Sequence, residues 1–74
     1  MAETNPSVPP RIFEHVSRKD WGRSVLVLEI PDMRTFLFED GAERSFRPDY
    51  WHKMEIIEVQ TNEAVRIDRL ARRN

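Results

Sequence analysis

The chain carries two histidines, His15 and His52, and no cysteine. An imidazole works as a metal ligand or a general base when other donors converge on it. No H-x-x-x-H or H-E-x-x-H spacing places a second donor on the same helix face. His15 falls beside core-facing positions and His52 beside Trp51, so both read as structural or surface residues. Asp20, Asp32, Asp40 and Asp49 all fall in turn segments, where a carboxylate bonds nearby backbone N–H groups. The acidic run "FEDGAE" lacks the alternating ligands and closing glutamate of a calcium loop. Ser17, Ser24 and Ser45 stand in no nucleophile motif, and no glycine-rich loop is present to cradle phosphate. These residues predict no enzyme, no bound metal and no cofactor.

Binding is the chemistry left. Trp21, Tyr50 and Trp51 lie near loops, where large aromatics either plug the ends of a small core or line a groove for a peptide or cation. Trp51 is expected to be the more exposed tryptophan, and Trp51→Ala to abolish partner capture with little effect on melting. Trp51, Tyr50 and Arg44, with the apolar pair Val25 and Val27, make up the expected partner surface. The one local basic excess is C-terminal: over residues 63–74, four arginines against Glu63 and Asp68 leave +2. On a helix, Arg66, Arg69 and Arg73 share a stripe, which reads as a solvated face or as a contact for phosphate.

Seventy-four residues allow one small domain, which buries only about 60% of its unfolded surface. Without disulfides it depends on a compact apolar core, a docked helix or a partner. The balance of 12 basic and 13 acidic groups, interspersed along the chain, argues against nucleic-acid binding by overall charge. Ten of those 12 basic residues are arginine, which reads either as suited to planar contacts at interfaces or as the mark of a GC-rich genome. No targeting segment and no run of about 18 apolar residues is present, so a soluble, cytoplasmic protein without membrane contact is expected.

The elements that must position these residues are short. Residues 1–10, with three prolines, predict a disordered tail. "RIFEHV", "SVLVLEI", "RTFLFE", "ERSFR" and "MEIIEV" predict five strands, with "PDYWHK" as an irregular connection. Five short strands over residues 11–60 fit a small closed barrel, because closure removes exposed edges. Trp21 is placed at the barrel end above Leu26 and Leu28. A two-residue Asp40-Gly41 loop would set Arg34 opposite Arg47; one extra residue pairs Phe36 with Phe46 and Phe38 with Arg44, bringing the aromatics together. Residues 61–74 read as a helix, with Asn62 as cap and Ala64, Ile67, Leu70 and Ala71 on one face. Alternation of Val65 and Ile67 with charged neighbours leaves a strand open there. Leu26, Leu28 and Ile30 share one strand face, and Val25 and Val27 the other, so the second face needs a cover. The helix supplies it, or another chain does.

The order "EHV…KDWG…VLVLEI…RTFLFEDGAERSF…MEIIEV" resembles small bacterial SH3/Tudor-like barrels. These include the RNA polymerase-binding domain of CarD-type transcription regulators and the Tudor-like tail of UvrD/PcrA-type helicases. His15, Trp21-Gly22, Val25–Ile30 and Phe38-Glu39-Asp40-Gly41 carry the likeness, over roughly residues 12–59. Where the pattern has a second glycine after Gly22, this chain has Ser24. The resemblance implies a five-stranded barrel that binds RNA polymerase, another protein or nucleic acid, and is not an enzyme. The expectation is a non-enzymatic protein-binding module of transcription or repair, monomeric or weakly dimeric. The alternatives are a nucleic-acid module using Arg66, Arg69 and Arg73, or a self-associating structural subunit.

Overall fold

The computed structural model describes residues 10–72. The disordered tail expected over residues 1–10 lies outside the described residues except for Pro10, and so does Arg73. The molecule is mainly β: β1 (Ile12–His15), β2 (Arg23–Ile30), β3 (Met33–Phe38), β4 (Glu43–Phe46) and β5 (Met54–Ile57), followed by helix α1 (Thr61–Ala71). A short 3-10 turn (Lys19–Trp21) precedes β2, and a 3-10 segment (Pro48–Lys53) joins β4 to β5. The strands form one antiparallel sheet in the order β4-β3-β2-β1-β5.

The expected barrel closure does not occur, since β4 and β5 are both sheet edges. Each edge strand has only four residues, and the 3-10 segment between them packs against β3, β4 and β5. That segment bridges the gap that ladder hydrogen bonds would fill in a closed barrel.

Two apolar layers form on opposite faces of the sheet. Phe36, Phe38 and Met54 are buried on the inner face, with Phe13, Trp21, Leu26 and Phe46 packed around them. Ile12 and Val25 are buried on the outer face against Ala64, Ile67 and Ala71 of α1. The helix therefore covers the second face. Val25 is only 2% exposed, and Val27 packs against the same layer, so neither is available as the partner surface expected of it. Ala64 and Ala71 have small side chains that let the helix backbone approach the sheet. Leu70, expected on this face, is exposed, because it lies about a quarter turn from the mean direction of Ala64, Ile67 and Ala71. The N-cap is Gln60 rather than Asn62, and it makes no side-chain cap; the Ala64 N–H closes the first turn on the Gln60 carbonyl at 2.8 Å.

The β3–β4 hairpin adds its extra residue in the loop. Phe38 N–H donates to the Ala42 carbonyl and Gly41 N–H to the Phe38 carbonyl, each at 2.9 Å, with Gly41 at φ 90°. This makes a three-residue loop of Glu39, Asp40 and Gly41, with glycine in the left-handed region. Phe36 consequently stands opposite Arg44, and Phe46 opposite Arg34, instead of the expected Phe36–Phe46 and Phe38–Arg44 pairs. The face is as expected: the Phe36 and Phe46 rings are 5.8 Å apart, diagonally across the ladder.

In β2 a bulge between Leu26 and Leu28 breaks the alternation. Leu26 pairs with Phe36, on the inner face, but Leu28 pairs with Thr35, on the outer one. The expected single face of Leu26, Leu28 and Ile30 is thus split at Val27. A physical cause lies in the Pro31-Asp32 turn. A primed hairpin turn needs positive φ, which proline cannot adopt, and no non-glycine residue here has it. The bulge supplies right-handed twist that an unprimed turn does not.

Candidate docking face

The bulge sets the site. Leu28 and Ile30, on the outer face of β2, are 45% and 43% exposed, beyond the area that α1 covers. Ile30, Asp32 and Met33 form one wall of an open groove of about 500 Å³, and Arg47, Pro48 and Asp49 form the other. Asp32, Arg47 and Asp49 make no ion pair among the described residues. The second wall is preset by Pro48, whose ring fixes φ at the start of the 3-10 segment, and by Tyr50 N–H donating to the Arg47 carbonyl at 2.8 Å.

Trp51 holds that wall in place. Its Nε1–H donates to the Phe46 carbonyl at 2.9 Å, and the Arg34 guanidinium lies 4.0 Å from its ring centroid. Arg34 is in turn held by Glu29 at 2.8 Å. Trp51, like Trp21, is half-buried, and its hydrogen bond and stacking make it a post of the wall, so Trp51→Ala is expected to lower the melting midpoint. Tyr50, 56% exposed, is the aromatic that faces solvent.

Arg44 also belongs to the scaffold. It grips both oxygens of Asp40, at 3.2 and 3.0 Å, and its guanidinium lies 4.1 Å from the Trp21 ring and 4.8 Å from the Phe38 ring. The Arg44 side chain, then the Ala42 N–H, hold the Asp40 carboxyl below its usual range. Trp21 is half-buried against Phe38, with ring centroids 5.5 Å apart, and packs in the layer that includes Leu26. Leu28 faces away on the other side of the sheet, so Trp21 does not sit above it.

Two arginines at the C-terminal end of the chain are held by acids of α1. Arg66 pairs with Glu63 at 2.8 Å and Arg72 with Asp68 at 2.7 Å. Glu63 is shared with Arg23 of β2, at 3.2 Å. Arg69 is exposed and unpaired among the described residues. Of the expected stripe, Arg66 is paired and Arg69 is not, and Arg73 lies outside the described residues.

His15 is buried. Its Nδ1 accepts the backbone N–H groups of Ser17 and Arg18, both at 3.1 Å, so the neutral ring carries its proton on Nε2. Burial, then the cations Lys53, Arg18 and Arg44, lower its pKa from about 6.5. His52 is exposed. Ser24, fully buried, donates its hydroxyl to the Phe13 carbonyl at 3.3 Å, which lets a serine stand where the resembled pattern has glycine. Ser45 shares a 2.8 Å hydrogen bond with Thr35. Among the described residues no three His, Cys, Asp or Glu side chains gather as a metal-ligand set, and no helix is long and apolar enough to cross a membrane.

Leu28, Ile30, Met33 and Pro48 were not anticipated as site residues. The available signal was "EIPDM", an isoleucine and a methionine directly flanking a turn, where polar residues are usual. No family model matches the chain, and no curated protein or solved structure matches it.

Proposed function

We propose that this chain is a small, non-enzymatic cytoplasmic module that docks a protein partner in the groove between the β2–β3 turn and the 3-10 segment. The observation that carries this reading is the set of exposed apolar side chains, Leu28, Ile30 and Tyr50, on the elements that form a groove held rigid by Trp51 and Arg34. Ile30 lines the groove itself, with Leu28 two residues away on β2 and Tyr50 on the 3-10 segment. An apolar patch rimmed by charged residues is a mark of an interaction site. The strand order, with a 3-10 segment before the last strand, fits the SH3/Tudor-like reading. That likeness supports a partner in transcription or repair, with RNA polymerase the first to test. The nucleic-acid alternative is weakened by the pairing of Arg66 with Glu63. The self-association alternative loses its main reason once α1 covers Val25.

Ile30→Asp and Tyr50→Ala change exposed side chains and should leave the melting midpoint unchanged. Purified RNA polymerase should be retained by the immobilised wild-type chain and released by both variants. Equal retention by the variants, or release only by Arg66→Ala and Arg69→Ala, would overturn the assignment of this face.

A further inference from the structure

We propose that His15 is a pH-sensitive latch: taking a proton at Nδ1 frees the turn after β1 and loosens the Trp51 post of the docking face. This rests on the proposed docking face for its last link only. The neutral ring closes the turn by accepting two backbone N–H groups, from Ser17 and Arg18, each at 3.1 Å. A proton on Nδ1 converts that acceptor into a donor aimed at two donors, so both bonds are lost together. Among the described residues no other side-chain acceptor is bonded to either amide.

The surroundings oppose the charged form from several elements. The ring is 8% exposed and packs edge-on against Trp21, with centroids 4.8 Å apart, and at a tilt against Phe46, at 5.8 Å. The cations acting on it come from the turn (Arg18), from β4 (Arg44) and from the 3-10 segment (Lys53). Of the acids nearby, Glu14 pairs with Lys19, Asp20 with Arg18 and Asp40 of the hairpin loop with Arg44. Glu43 of β4 and Asp49 of the 3-10 segment make no ion pair among the described residues. Among the described residues no carboxylate is paired with the imidazole to stabilise a positive charge there.

Two contacts carry the change to the docking face. Phe46, on which His15 packs, offers its carbonyl to the Trp51 indole at 2.9 Å. Val16 N–H, beside the latch, donates to the Lys53 carbonyl at the end of the 3-10 segment, at 2.8 Å. Releasing His15 therefore disturbs both supports of the segment that forms the second wall of the groove.

The test is an NMR titration of the full chain from neutral to acidic pH, with no partner present. It follows the His15 ring nitrogens, the Ser17 and Arg18 amides, and the Trp51 indole N–H. At neutral pH His15 should show the Nε2–H tautomer. The two amides and the indole should then move with one midpoint, that of His15, set below the usual imidazole value of about 6.5. His15→Asn, whose side-chain oxygen can accept the same amides without titrating, should abolish the movement. The proposal is overturned if the amides move at a midpoint other than that of His15, if His15 charges without moving them, or if the Trp51 indole stays still while they move. Because no partner enters, a negative result here leaves the docking face to its own experiment, and failure of that experiment leaves the latch standing.

Discussion

At the scale of single residues, two glycines separate backbone strain from crowding. Gly41 has φ 90°, and a Cβ added there would meet nothing within 4 Å. Gly22 has φ 85°, and its added Cβ would lie 3.0 Å from Glu39 Oε1 and 3.2 Å from Glu39 Cβ. That glutamate also accepts the Arg23 N–H, at 2.9 Å, so it cannot withdraw freely. Gly41→Ala should cost about 1–2 kcal/mol from strain alone. Gly22→Ala should cost more, and chemical denaturation of the two variants measures the difference. A reversed order would mean that Glu39 yields easily. Gly22 was legible in the Trp-Gly step as a point where the chain turns into β2. The role of Glu39 was not, because it depends on a contact 17 positions further along the chain.

At the scale of elements, α1 is the piece whose loss the sheet cannot absorb. Ile67, 1% exposed, is its central contact with Ile12 and Val25. Ile67→Ala should destabilise the fold by about 2–5 kcal/mol, read as a lower denaturant midpoint. Val65→Ala, on the exposed side of the same helix, should change it by less than about 0.5 kcal/mol. Comparable losses would mean that α1 is held by something other than this stripe. The strands and the helix were readable because runs of β-branched residues and a 3.6-residue period are local properties. Strand pairing was harder. The hairpin parity followed from the need to gather Phe36 and Phe46, but the offset depended on where the extra residue sits. The β2 bulge left no mark in the alternation of "SVLVLEI", whose residues are apolar on both faces, so the exposed strip read as core.

At the scale of the whole molecule, the charges make stability one-sided in pH. The His15 pKa lies below its usual value of about 6.5, so the unfolded chain takes up that proton first. Its contribution is full above that value and is lost as pH falls through it toward the folded pKa. Asp20, Asp40 and Glu63 are lowered by Arg18, Arg44 and Arg66, from usual values of 3.8, 3.8 and 4.5. Their contributions are present above those values and fall away below them. Exposed pairs of this kind are screened by water, so the carboxylate loss should be shallow and weaken in salt. The melting midpoint should be flat above pH 6.5, decline first with His15, and decline again with the carboxylates. In His15→Asn the first decline should be missing. A wild-type midpoint that rises on acidification would contradict the assignment.

The residues of β2 are counted from two ends that disagree. From the core, Leu26 must meet Phe36; from the turn, Ile30 must meet Met33. The strand is one residue too long for both, and Val27 takes up the difference. A three-residue turn without the bulge would set Leu28 against Arg34 and leave Glu29 facing outward beside Met33. Composition would be unchanged, yet the apolar strip would become a charged one. Whether this end of β2 presents an apolar or a charged strip is therefore decided by parity, held by a single residue that does not line the groove.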